Sequence, residues 1–144
     1  MNAVNENYSN TVPSKNIKDF WILAIRKKGL YPSNNRNCGK WLIFADISEI
    51  DNVWEKIKIA TENGLLGGSS KVATAKPNPN ASTQSKKVIC VYTYDVTDKD
   101  DVMRVREELR KLGIVQKIPY KTDNATLKGQ YQVKGNKNIS TYYE

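Results

Sequence analysis

Histidine is absent from this 144-residue chain, and cysteine occurs only twice. Without histidine, the chain cannot build a Ser-His or Cys-His nucleophile or a histidine-containing metal site. Cys38 and Cys90 lie far apart in the sequence and without CxxC spacing, so the common zinc sites are excluded as well. We therefore predict no metal, no cofactor and no catalytic residue, and any enzyme built from this chain would need Lys, Tyr, Asp or Glu to carry protons.

Long apolar runs are also missing. No segment approaches the roughly 20 apolar residues that a membrane-spanning helix needs, and the Asn- and Ser-rich start lacks the pattern of a secretory signal. Cys90 lies in the apolar segment VICVY and is predicted to be buried, whereas Cys38 lies in a polar turn where it could be exposed. These features predict reduced thiols, no membrane association and a cytoplasmic location.

Acidic residues are in deficit, with 15 Asp and Glu against 23 Lys and Arg, which gives a net charge of +8. This excess favours an anionic partner such as a nucleotide, RNA or a phosphoprotein, although a basic surface without any such partner explains it equally well. Lysine outnumbers arginine, which favours general attraction of phosphate over bidentate reading of base edges.

The hydrophobic periodicity predicts one α+β domain over residues 17–144 behind a disordered tail over 1–16. Apolar stripes at helical spacing predict helices within 48–64 and 98–112. Strands are predicted at 19–27, 40–47, 71–76, 88–94, 115–121 and 129–133. The segment 139–144 is a further candidate that would complete the sheet. The order β-β-α-β-β-α-β-β predicts a mainly antiparallel sheet with both helices on one face.

Cations concentrate where the predicted strands meet loops. Lys76 lies at one end of the polar loop before the fourth strand, and Lys86 and Lys87 lie at the other, so a hairpin would gather three ammonium groups. Strand alternation places Thr74 on the same face as Lys76. Further candidates are cations that flank other loops and tyrosines close to them, namely Arg36, Lys40, Lys121, Lys128, Tyr31, Tyr92 and Tyr120. Cations beside aromatic rings are typical of sites that hold phosphate and stack a base, but a solvated lysine surface explains any single residue equally well.

Four segments carry a resemblance to a known family: GKWLIF, VWEKIKIATENGLLGGSSKVAT, VICVYTYDVTDKDDVMRVREELRKLGI and YKTDNATLKGQY. Across residues 19–143 the chain resembles the basophilic-leukaemia-expressed (Bles) protein family, which implies a curved sheet with a translation-initiation-factor-4E-like fold. In that factor a cation ending the strand after the first helix contacts cap phosphates, and Lys76 falls at the matching place. A second cation is matched, slightly out of register, by Lys86 and Lys87, and Tyr92 matches an aromatic residue on the ligand face.

The resemblance to the initiation factor does not extend to the residues that hold the base of the cap. That factor holds the messenger-RNA cap between two loop tryptophans beside a glutamate, whereas Trp21, Trp41 and Trp54 all fall in core-like patterns here. Some Bles proteins are described as phosphothreonine lyases. The known enzymes with that chemistry use a lysine base and a histidine acid, and this chain has no histidine.

We therefore predict a non-catalytic binding domain for a phosphorylated ligand, with a nucleotide or RNA end as the first choice. The small Asn- and Lys-rich chain also fits a phage-type protein that sequesters a nucleotide signal. Two alternatives stay open: a lyase-like enzyme with Lys121 as base, and a protein-interaction module using the sheet edge at Pro119 or the helix 98–112. Thr122 and Asp123 are expected to bond the local backbone in a turn.

Overall fold

The structure, a computed structural model, describes residues 11–77, 85–123 and 141–144. Within these ranges the chain forms a 3-10 helix, six strands and two α-helices. In chain order these are the 3-10 helix Pro13–Lys15, β1 Trp21–Ile25, β2 Gly39–Asp46, α1 Ile50–Glu62, β3 Ser69–Ala73, β4 Lys86–Thr93, α2 Lys99–Lys111, β5 Pro119–Thr122 and β6 Tyr142–Tyr143. The predicted α+β class and element order are confirmed, while the predicted strand 129–133 lies outside the described residues.

Each helix buries one apolar stripe. In α1, the side chains of Ile50, Trp54 and Ile57 recur at helical spacing and are buried. At the start of α2, the Asp98 carboxylate accepts a hydrogen bond from the backbone N–H of Asp101 at 3.1 Å, so Asp98 is the N-cap of this helix. Neither helix is long and apolar enough to cross a membrane, as far as the described part of the chain goes.

The segment before β1 corrects the prediction of a disordered tail through residue 16. Pro13–Lys15 forms the 3-10 helix, and both Pro13 and Asn16 are buried. The backbone N–H of Ser14 donates to the Asp51 carboxylate at 2.9 Å, so this segment is fastened to the first turn of α1. A polar composition therefore concealed a docked segment, and residues 1–10 of the predicted tail lie outside the described residues.

The six strands form one antiparallel sheet in the order β1-β3-β4-β2-β5-β6. The hairpin of β3 and β4 is confirmed, and it lies between β1 and β2, which are consecutive in the sequence but not neighbours in the sheet. The prediction that Pro119 marks a sheet edge is wrong, because β5 pairs with β2 on one side and with β6 on the other. Pro119 is the first residue of β5 and lies beyond its last register pair with β2, Trp41 with Tyr120, so its missing N–H is tolerated.

Alternation along the strands gives the sheet two different faces. On β4, Ile89 and Val91 point toward the helices and join the hydrophobic core, whereas Cys90 and Tyr92 point the other way. We call the helix side the back face and the opposite side the front face. The Trp41 indole N–H donates to the Val102 carbonyl at 3.1 Å and so fastens the back face of β2 to α2.

The Arg106 side chain of α2 points into the protein, although charged side chains on a helix usually face solvent. It is fully buried, and its guanidinium donates to the carbonyl oxygens of Glu144 at 2.8 Å, Ile114 at 2.9 Å and Gln116 at 2.7 Å. Burial lowers the pKa of Arg106, but an arginine stays charged in proteins. The side chain therefore acts as a structural clamp that joins α2 to the chain around β6.

Candidate ligand-binding site on the front face

Three lysines project from the front face near the centre of the sheet: Lys71 from β3, Lys40 from β2 and Lys121 from β5. The strand register places Lys40 directly opposite both Tyr92 and Lys121, and it places Lys71 opposite Cys90. Neighbouring strands are about 4.8 Å apart, so long side chains that rise from adjacent strands on one face reach one another. We call Lys40, Lys71 and Lys121 the lysine cluster.

Aromatic rings lie among these ammonium groups. The Nζ atoms of Lys40 and Lys71 lie 5.9 Å and 5.8 Å from the centroid of the Tyr92 ring. Lys71 Nζ also lies 4.0 Å from the centroid of the Trp21 ring. Trp21 is therefore a half-buried front-face residue, which corrects its core-like reading in the sequence. The sequence missed Lys71 and Trp21 because alternation in one strand does not reveal which strand lies beside it.

Asp123 provides a carboxylate for the cluster. Its Oδ1 accepts a hydrogen bond from Lys40 Nζ at 2.7 Å, and the Lys40 side chain is only 12% exposed. The Cys38 thiol donates to Oδ2 of the same carboxylate at 3.4 Å. Asp123 was expected to bond local backbone in a turn, and its side chain instead spans to β2. The polar turn that contains Cys38 left its exposure open, and the thiol is buried beside this pair; both cysteines are free thiols.

Burial and mutual repulsion set the electrostatics of the site. The pKa of Lys121 is lowered, mainly by burial and then by the positive charge of Lys40. Burial raises the pKa of the Cys90 thiol to about 11, although the charges of Lys71 and Lys40 favour its thiolate. The pKa of Tyr92 is also raised by burial. The lysine cluster is thus partly dehydrated, and a bound anion would relieve the repulsion between its ammonium groups.

The lysines predicted at the loop mouth do not all lie on one face of the sheet. Lys86 lies on the front face opposite Asp46, whereas its neighbour Lys87 points to the back face and is 6% exposed. Lys76 follows β3, and its Nζ donates to the Lys18 carbonyl at 3.0 Å. Adjacent residues of a strand point to opposite faces, so Lys86 and Lys87 cannot hold the same phosphate from one side.

Two other predicted residues belong to the back face. Tyr120 is fully buried, and its hydroxyl shares a 2.6 Å hydrogen bond with that of Thr93. Thr74 is buried, and its hydroxyl donates to the Asp19 carbonyl. Both residues therefore support the fold and do not reach the lysine cluster, because the sheet itself lies between them and the front face.

The remaining predicted residues lie apart from the cluster or cannot be located. The Tyr31 hydroxyl donates to the Asp101 carboxylate of α2 at 2.6 Å, so Tyr31 is used in fastening its loop to the helix. Arg36 is exposed in the loop before β2. Lys128 lies outside the described residues. Of the predicted site residues, the structure thus brings together Lys40, Lys121 and Tyr92, and it adds Lys71, Trp21 and Asp123.

Comparison with known proteins identifies the family. The family of the basophilic leukemia-expressed protein Bles03 matches residues 32–127. This match covers more than half of the chain, and the chain therefore belongs to that family, as the resemblance in its sequence predicted. The matched range contains Lys40, Lys71, Tyr92, Lys121 and Asp123, whereas Trp21 precedes it.

Solved structures identify the fold. C. elegans eIF4E-3 in complex with the 4E-binding protein Mextli and cap analog is matched with a TM-score of 0.60 and 20% identity, over 88% of this chain and 76% of that chain. Ascaris suum eIF4E-3 with m7G cap gives a TM-score of 0.57 and 17% identity, over 83% of this chain and 72% of that one. Another complex of C. elegans eIF4E-3 with Mextli gives a TM-score of 0.52 and 19% identity. That match covers 77% of this chain but only 60% of the other one. The fold is thus eIF4E-like.

Proposed function

We propose that this Bles03-family member is a non-catalytic binding domain for a phosphorylated ligand, a nucleotide or an RNA end, held on the front face of its sheet. The observation that carries the proposal is the lysine cluster, in which Lys40, Lys71 and Lys121 rise from three strands around Tyr92. The cations would neutralise phosphate, and the aromatic rings would contact the base.

The energetics of the cluster support an anionic ligand. Lys121 bears the cost of burial and of repulsion by Lys40, and the negative charge of a phosphate would reduce both. Charge-assisted hydrogen bonds in a partly dehydrated site are stronger than those on an open surface. The eIF4E-like fold adds support, because the Ascaris suum relative was solved with m7G cap. Sequestration of a nucleotide signal would be one use of such a site, and it would require tight binding without turnover.

The first test is titration of the purified protein with GTP at low salt, together with mass spectrometry of small molecules released by denaturation. We expect an affinity that falls as the salt concentration rises, because salt screens the attraction between the lysines and the phosphates. Replacing Lys71 by Met should weaken GTP binding by about tenfold, since it removes one charge-assisted hydrogen bond.

The matched control is Lys56→Met, which removes the same charge from an exposed position on α1. Its effect on GTP affinity should be below about twofold, because a distant exposed charge is screened by salt. Absence of nucleotide binding at low salt would overturn the proposal. An equal loss in Lys56→Met and Lys71→Met would also overturn it, since binding would then follow net charge alone.

A lyase-like enzyme is the second candidate, and one observation favours it. The lowered pKa of Lys121 increases the fraction of its neutral amine, which is the form that can act as a base. If this candidate is right, Lys121→Met will abolish conversion of a phosphorylated substrate without abolishing its binding. Mass spectrometry after prolonged incubation of the phosphorylated compound with the wild-type protein measures this conversion. If the compound is recovered unchanged, the enzyme candidate fails and the binding function remains.

A further inference from the structure

Asp123 occupies the position where a phosphate would meet the lysine cluster. Its carboxylate lies 2.7 Å from Lys40 Nζ, and the Lys40 side chain is 12% exposed against 34% for Asp123. The Lys40 side chain is therefore the more enclosed partner, and its ammonium group is paired with the more exposed Asp123 carboxylate. A ligand phosphate can pair fully with the Lys40 ammonium group only if the Asp123 carboxylate moves away from it.

The backbone beside Asp123 holds it in place independently of the side chain. Its N–H donates to the Cys38 carbonyl at 3.0 Å, which extends the pairing of β5 with β2. The ion pair with Lys40 is thus formed from a fixed main chain by rotation of two side chains. Release of Lys40 requires no strand to separate, and the carboxylate can swing away while the fold stays intact.

We infer that Asp123 is an intramolecular competitor for Lys40, which sets how strongly the front face binds phosphate and is displaced when a phosphorylated ligand enters. This inference rests on the proposed function. In the free protein the carboxylate neutralises one of the three cations, and the remaining charge lies on Lys71 and Lys121. Removing the carboxylate makes all three cations available, so the affinity for phosphate rises.

A double-mutant cycle on GTP binding tests this competition. Asp123→Asn should tighten GTP binding by about 5- to 30-fold, which lies in the lower part of the usual range for coupling between two sites. In a Lys40→Met background the same Asp123→Asn change should tighten binding by less than about threefold, because the cation that Asp123 holds is gone. The matched control is Glu55→Gln, which removes a carboxylate from an exposed position on α1 and should change affinity by less than about twofold.

A second measurement does not depend on ligand binding. In a Cys90→Ser background, Cys38 is the remaining thiol, and its pKa is raised by burial and then by the charge of Asp123. Asp123→Asn should therefore increase the rate at which Cys38 reacts with a small methanethiosulfonate at pH 8, while Glu55→Gln should leave that rate unchanged. An unchanged rate in Asp123→Asn would show that the carboxylate does not act on Cys38, which would contradict the side-chain geometry on which the inference rests.

The outcomes separate the inference from the proposed function. Wild-type binding of GTP without tightening in Asp123→Asn overturns the inference and leaves the proposed function standing. If Asp123→Asn tightens GTP binding equally in the wild-type and Lys40→Met backgrounds, the inference is also overturned, since Asp123 would then act as a general negative charge. Binding seen only in Asp123→Asn supports both. If neither protein binds GTP at low salt, the proposed function fails and the inference fails with it.

Discussion

The two faces of the sheet treat positive charge in opposite ways. On the back face, the guanidinium of Arg106 is fully buried, and three carbonyl oxygens accept its hydrogen bonds. On the front face, Lys40 and Lys121 lie on neighbouring strands and repel each other, with one carboxylate beside them. A cation saturated by backbone stabilises a fold, whereas cations held together at a cost are suited to a ligand. The contrast can be tested residue by residue.

The largest expected effect is the loss of the Arg106 clamp. Arg106→Met should lower the free energy of unfolding by about 3–5 kcal/mol, because it leaves three carbonyl groups without their buried donor. Urea denaturation measures the change. The control is Arg110→Met on the same helix, where the ion pair with Glu107 is largely exposed and the expected loss is below about 1 kcal/mol. Equal losses in the two variants would contradict a structural role for Arg106.

The next largest effect is a difference in stability between substitutions on the two faces of β1. Ile22 is buried on the back face, and Ile22→Ala should lower the free energy of unfolding by about 2–5 kcal/mol through a cavity in the core. Its neighbour Leu23 points to the front face and is 51% exposed, so Leu23→Ala should cost less than about 1 kcal/mol. Thermal and urea unfolding of the pair measure the difference. A large loss in Leu23→Ala would mean that the front face is covered at β1.

The smallest effect is seen at high pH and compares one tyrosine from each face. Burial raises the pKa of Tyr120 to about 12, and it also raises the pKa of Tyr92. Because the unfolded chain ionises near pH 10, each tyrosine contributes stability that is complete below that pH and is lost as the pH rises toward the folded pKa. The expected loss is about 1.4 kcal/mol per pH unit for each residue in that window.

Phenylalanine variants identify the two contributions. Tyr120→Phe and Tyr92→Phe should each flatten the decline of stability between about pH 10 and 12. At neutral pH only Tyr120→Phe should destabilise the fold, by about 1 kcal/mol, because it loses the hydrogen bond to Thr93. Urea denaturation over this pH range measures both. An unchanged slope in either variant would show that its hydroxyl ionises as freely in the folded protein as in the unfolded chain.

Local chemistry explains what the sequence predicted well. The helix α2 was predictable because Val102, Val105 and Leu109 recur at helical spacing behind an Asp cap. The burial of Cys90 followed from its apolar strand. The resemblance added the family and the fold, and both are confirmed. Of the candidate site, Lys40, Lys121 and Tyr92 could be predicted because they lie in recognisable strands, close to the loops that join them.

The sequence by itself determined the two helices and the strands β1 to β5, the excess of positive charge and the lack of histidine chemistry, because these depend on residue types and on spacing along the chain. The tertiary structure alone decided which cations share a face. Lys71 belongs to the cluster and Lys87 does not, because the order β1-β3-β4-β2-β5-β6 and its register set the neighbours of each side chain. It also decided that Arg106 is buried and that Asp123 reaches Lys40. Pairing between distant segments is a property of the whole sheet, and a shift of one residue in its register would move every side chain of a strand to the other face.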